Sequence, residues 1–195
     1  MNLFLKICLA AVLSSFGSQD YQEEQLLPDL EGYKLAELKI TGASPLSSQV
    51  LRDSAFSIKT GDAYDSQIIE DDMKRIKRMY NELGFIDFTY TPQIDIKQKE
   101  RTVSCSFHFI PGEQFFVNQI KILGTKSSEE EAEIRSDIYL KETYPFSLNA
   151  LYYSIRRVKA QLEGKGISIK DFRYERLTDN PGKVDIFIQI ESEKH

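Results

Sequence analysis

Leu35-Ala36-Glu37-Leu38-Lys39-Ile40-Thr41-Gly42 returns as Val117-Asn118-Gln119-Ile120-Lys121-Ile122-Leu123-Gly124, displaced by 82 residues. The same displacement carries Tyr64 onto Phe146, Tyr80 onto Leu162, Gly84 onto Gly166 and Phe85 onto Ile167. Self-similarity at one fixed period marks two tandem copies of a single small module. Duplicated modules offer binding surface, whereas a catalytic site tends to break the symmetry.

Each copy opens with alternation. Ala36, Leu38 and Ile40 face one way and Glu37, Lys39 and Thr41 the other, which predicts a half-buried strand ended by Gly42. A short helix follows through about Ser54, with Val50 and Leu51 inward. A longer helix is capped by Asp65 or Ser66 and carries Ile69, Met73, Ile76, Tyr80 and Leu83 as one apolar stripe. Gly84 stands where a left-handed residue ends a helix.

A strand from Phe85 to Ile96 and another from Arg101 to Ile110 complete the copy, with Val103, Cys105, Phe107 and Phe109 on one face. Pro92 cannot donate to a ladder, so the first of these strands belongs at an edge and the second inside. The second copy repeats the order, with Leu151, Ile155, Val158 and Leu162 as its helix stripe. Its strands run from Ser168 to about Leu177 and from Lys183 to Ile190, joined through Pro181-Gly182. There the displacement slips to 81, which places a one-residue length change in the closing hairpin.

The reading is α+β: two tandem β-α-α-β-β domains, each a three-stranded sheet covered on one face by two helices. Residues 1–18, with a short apolar run interrupted by Lys6 and then Ser14-Ser15-Phe16-Gly17-Ser18, read as a secretory signal peptide. The run falls short of the roughly 18–20 apolar residues of a spanning helix. An uncleaved signal anchor is the alternative. Residues 19–33 read as a linker, 34–112 as the first domain and 113–195 as the second.

Loss of the leader would remove Cys8 and leave Cys105 alone, so the core and not a disulfide holds the fold. Cys105 reads as a small buried hydrophobe. A formal charge of -5 argues against nucleic acid or an anionic membrane as the main partner.

Chemistry-bearing motifs are scarce. His108 shares the face opposite Val103, Cys105, Phe107 and Phe109 with Ser104 and Ser106, where solvent or a partner would meet it. No phosphate loop, paired-His motif or calcium loop is present, and no cofactor or metal site is expected. The acidic run from Glu129 to Glu133 reads as a solvated helix start. The basic clusters Lys74-Arg75-Lys77-Arg78 and Arg156-Arg157-Lys159 read as solvated helix faces.

An edge strand, by contrast, can accept an extended polypeptide through its open N–H and C=O groups. Ile86, Phe88 and Tyr90 in the first copy and Phe172 and Tyr174 in the second lie on the candidate edges. They are the candidate client- or partner-binding residues, with packing of half of each set under the helices as the competing reading.

The stretch from Gly112 to Gly124 (Gly112-Glu113-Gln114-Phe115-Phe116 leading into Ile120-Lys121-Ile122-Leu123-Gly124) resembles the junction between successive POTRA domains. Met79-Tyr80-Asn81-Glu82-Leu83-Gly84-Phe85 is similar to the family's helix end, and Gly61-Asp62-Ala63-Tyr64 to the aromatic before that helix. In the second copy Leu162 and Ile167 replace the aromatics and Thr143 the glycine.

The resemblance covers about residues 34–191. It implies a non-enzymatic periplasmic docking module, associated with the outer membrane, as in BamA-type assembly factors and two-partner secretion transporters. Its implied partners are polypeptide clients or an outer-membrane β-barrel, with membrane association through that partner. Such proteins carry a C-terminal barrel, and the expectation here is a barrel-less pair. Two alternatives stay open: an inner-membrane-anchored adaptor like the POTRA-bearing division proteins, and a small periplasmic enzyme built around His108.

Overall fold

A computed structural model of the chain describes residues 27–163 and 165–192. The segment read as a signal peptide, and most of the stretch read as a linker, lie outside the described residues. Along the chain run β1 (Lys34–Thr41), α1 (Ser48–Ser54), α2 (Ser66–Glu82), β2 (Thr89–Lys97) and β3 (Thr102–Ile110). Then come β4 (Phe116–Leu123), α3 (Ser128–Ser136), α4 (Leu148–Leu162), β5 (Ile167–Arg176) and β6 (Lys183–Ser192).

Each module forms one three-stranded sheet, ordered β1-β3-β2 and β4-β6-β5. The last strand of each module takes the centre, parallel to the first strand and antiparallel to the second. This is the α+β tandem that the alternation and the helix stripes predict, and β2 lies at an edge as Pro92 requires.

The cores follow the periodicities. Ile69, Met73, Ile76 and Tyr80 bury one side of α2 against Leu35, Val103, Cys105, Phe107 and Phe109 of the first sheet. Leu151, Ile155, Val158 and Leu162 of α4 do the same against Val117, Val184, Ile186 and Ile188. Asp65 caps α2 by accepting the Ile68 N–H, and Ser147 caps α4 by accepting the Ala150 N–H. Burial pushes the Cys105 thiol up to about 11, as befits a cysteine used for packing.

Three local expectations are corrected. Ala36 is exposed and Leu35 is buried, because a bulge between Leu35 and Glu37 shifts the alternation by one. The second module has the same bulge between Val117 and Gln119. Val50 is 50% exposed; only Leu51 of the short helix α1 reaches the core. Ile86 and Phe88 lie before β2, not on it. Gly84 (φ +92) ends α2, the Phe85 N–H donates to the Tyr80 carbonyl, and the chain turns once more before the strand starts at Thr89. In addition Leu27, Leu30 and Tyr33, at the end of the stretch read as linker, pack against the first core.

The length change between copies is also placed differently by the fold. Gly84 and Gly166 are 82 residues apart, yet Thr89 opposes Ile110 where Ser168 opposes Glu191, a displacement of 79. The first module therefore holds three extra residues, Phe85, Ile86 and Asp87, ahead of its edge strand. A bulge at Lys170 and a longer closing hairpin then return the displacement to 81.

Candidate functional site

The outer sides of β1 and β4 are partly closed by their own modules. Leu35 N–H donates to the Asp62 carbonyl and Val117 N–H to the Tyr144 carbonyl, both at 2.9 Å. In the second module Glu142 accepts the Ile120 N–H at 3.2 Å, and Arg135 donates to the Ile120 carbonyl at 2.9 Å. Strands β2 and β5 are the other edges, each paired on one side only.

Pro92 fixes which backbone groups face outward. It sits opposite Phe107 in an unbroken ladder, so its nitrogen must point away from β3. Alternation then turns the N–H groups of Ile94 and Ile96 to the open side as well. In the second sheet Phe172 opposes Ile188, which pairs with Ile122 as Phe107 pairs with Ile40. Phe172 is thus the counterpart of Pro92, and Phe172, Tyr174 and Arg176 present outward N–H groups where the first module has an interruption.

The candidate residues separate by depth. Phe88 is 3% exposed and stacks on Tyr80, with ring centroids 4.3 Å apart. Ile86 leaves its own module and packs against the second core. Neither side chain stands on the open edge. Tyr90 is half-buried against Phe88 and Phe107. Phe172 lies edge-on to Tyr152 and Tyr174 lies 4.9 Å from Phe146, both on the helix-covered face. On β2 and β5 the backbone, rather than the aromatic rings, is what a partner strand would meet.

His108 is exposed on the open sheet face, its Nδ1 3.0 Å from the Thr41 hydroxyl. It does not line the cleft described below. Among the described residues no group of three or more His, Cys, Asp and Glu could hold a metal, and no helix is long and apolar enough to cross a membrane. The basic clusters are engaged locally: Lys74 with Asp71, Arg75 with Asp72, and Arg157 with Asp137.

The joint between modules is the part that sequence reasoning missed. Asp87 takes both guanidinium nitrogens of Arg176, at 2.8 and 2.6 Å, and that guanidinium lies over the Phe115 ring at 4.6 Å. Asn81, at the end of α2, accepts the Leu148 N–H at the start of α4. Gln114 donates to the Leu83 carbonyl, and the Phe115 N–H donates to the Gly84 carbonyl. Two of the three extra residues, Ile86 and Asp87, thus contact the second module.

A repeated β-α-α-β-β unit, joined in this way and leaving a sheet edge open in each module, defines a tandem two-domain architecture. Residues 33–112 match the family model POTRA, described as surface antigen variable number repeat. The first module matches that family, and the two modules together have the fold of tandem POTRA domains.

The fold is shared with Haemophilus influenzae BamA POTRA3-5 at 18% identity and TM-score 0.59, over 82% of this chain and 61% of that one. It is shared also with BamA from Haemophilus ducreyi lacking POTRA domains 1-3, at 18% identity and TM-score 0.63, over 83% of this chain and 30% of that one. The chain thus spans less than two thirds of either. No curated protein matches it.

Proposed function

We propose that this POTRA pair is a non-enzymatic periplasmic scaffold that docks extended polypeptide segments, from client chains or from an outer-membrane β-barrel partner, by strand addition. The observation that carries the reading is the open edge of β5. Phe172, Tyr174 and Arg176 turn successive N–H groups away from β6, a row able to receive a strand whatever its side chains. The β2 edge is the poorer acceptor because Pro92 removes a donor from the middle of its row. The fold relation to the BamA POTRA segments and the apolar, small-residue N-terminal leader of the sequence support the periplasmic setting.

The contrast between the two edges supplies the test. Phe172→Pro copies Pro92 into the second module: it deletes the outward N–H while sparing the ladder to β6. Phe172→Ala controls for the lost ring contact with Tyr152. Titration of the full chain with an extended peptide of alternating apolar and polar residues, followed by amide NMR, should show about tenfold weaker binding for Phe172→Pro than for Phe172→Ala. Equal affinities for the two variants would refute edge docking at β5.

A further inference from the structure

Four tyrosines of the second module stand 41–60% exposed: Tyr139, Tyr144, Tyr152 and Tyr153. Their counterparts in the first module, at the displacement of 82, are Ser57, Asp62, Glu70 and Asp71. The alignment is anchored on both sides, by the caps Asp65 and Ser147 and by the contacts of Ser57 with Asp72 and of Tyr139 with Ser154. One copy of the fold is therefore built with small or acidic residues at these four places. Folding does not call for tyrosine there.

Three of the four line a cleft of about 470 Å³. Tyr139, Tyr144 and Tyr153 share its walls with Lys141 and Asn149 of the second module and with Glu82 at the end of α2 in the first. The cleft is thus continuous with the joint. Its rings are held in place: Tyr139 and Tyr153 meet edge to face at 4.9 Å, and Arg157 donates to the Tyr139 hydroxyl at 2.9 Å while lying over its ring. Exposed tyrosine that is already ordered gives contact area with a small loss of side-chain freedom on binding.

We infer that this cleft binds an extended, proline-containing polypeptide segment. Its lining carries one lysine and one glutamate, so it has no net charge with which to select a nucleic acid or an anionic headgroup. What it offers is ring faces and edges set at an angle, rimmed by hydroxyl, amide and ammonium donors. A left-handed polyproline helix is the complementary shape, with apolar ridges to seat between rings and carbonyls that make no internal hydrogen bonds. A sugar ring would need a flat platform, which an interplanar angle of 66° between Tyr139 and Tyr153 does not form. This site is separate from the β5 edge and shares with it only the polypeptide nature of the ligand.

The test is titration of the full chain, labelled at tyrosine, with an N-acetylated oligoproline peptide, and in parallel with a glycine-serine peptide of equal length and an N-acetylglucosamine oligomer. The expected result is saturable shifts of the Tyr139, Tyr144 and Tyr153 rings with oligoproline alone. The double variant Tyr144→Asp with Tyr153→Asp installs the first module's own residues; with an unchanged circular dichroism spectrum it should bind about tenfold more weakly. Phe172→Pro should leave this binding as it is, which separates the cleft from the edge. No saturable shift, equal binding by the double variant, ring shifts with the sugar oligomer in place of oligoproline, or loss of binding in Phe172→Pro would each overturn the inference.

Discussion

Asp72 accepts the Ser57 N–H at 2.6 Å, from a carboxylate that is fully buried on the inner side of α2. The same carboxylate takes the Ser57 hydroxyl at 2.8 Å and the Arg75 guanidinium at 2.5 Å. In the second module Ser154 stands at the equivalent place and accepts the Tyr139 N–H at 2.9 Å. Both copies thus use a buried polar side chain on the long helix to tie down the segment before it. An apolar stripe read from sequence passes over both residues, since neither is hydrophobic.

Replacing Asp72 should therefore loosen the first module selectively. Asp72→Ala removes the charged acceptor of the Ser57 N–H and hydroxyl and should cost about 1–3 kcal/mol in urea unfolding. Asp72→Ser, which copies Ser154, should recover a substantial part of that loss. If the serine variant were no more stable than the alanine variant, the two tethers would not be equivalent.

The joint should respond in orientation more than in stability. Asp87 and Arg176 are each close to half-exposed, so a double-mutant cycle between Asp87→Ala and Arg176→Ala should give a coupling below about 1 kcal/mol. Spin labels placed one in each module should nonetheless report a broader distance distribution in Arg176→Ala. An unchanged distribution would show that Asn81, Gln114 and Ile86 suffice to hold the modules together.

Alkaline pH should weaken the first core. Burial raises Cys105 from 9.0 to about 11 and Tyr80 from 10.0 to about 12; Tyr64 reaches about 12 by burial together with nearby acidic groups. In each case the native state holds its proton more tightly than the unfolded chain. Their contribution is complete below pH 9 and is lost as the pH climbs toward 12. Thermal unfolding followed by circular dichroism should thus show a falling midpoint across that window. Tyr80→Phe should flatten the fall above pH 10, while costing about 1–2 kcal/mol at neutral pH because the Ala43 carbonyl loses its donor. A midpoint constant up to pH 11 would contradict this assignment.

Sequence pattern reached the elements whose residues alternate or recur against one uniform core. The stripes of α2 and α4, their caps at Asp65 and Ser147, and the edge position of β2 all follow from local rules. Pattern fell short where a single residue changes the count. The bulge at Ala36 puts Leu35 in the core in its place, and Phe85–Asp87 add length just where the helix ends, so Ile86 and Phe88 fall before the strand. The joint was out of reach for a different reason. Asp87 and Arg176 lie 89 residues apart and belong to neither periodicity, so only the fold brings them together. The tyrosines could have been noticed by setting the copies side by side and asking where polarity is exchanged.

The central position of β3 and β6 carries a consequence for the order of assembly. Lys34 pairs with Thr102 and Phe116 with Lys183, so the opening strand of each module finds its partner only in the strand that closes it. Long-range parallel pairing of this kind is slow to nucleate, because a large loop must close before any ladder forms. A chain delivered from its N-terminus would hold β1 without its partner until Thr102–Ile110 had emerged. The first sheet would then complete before the second had begun, and Asp87 would be in position to receive Arg176 last.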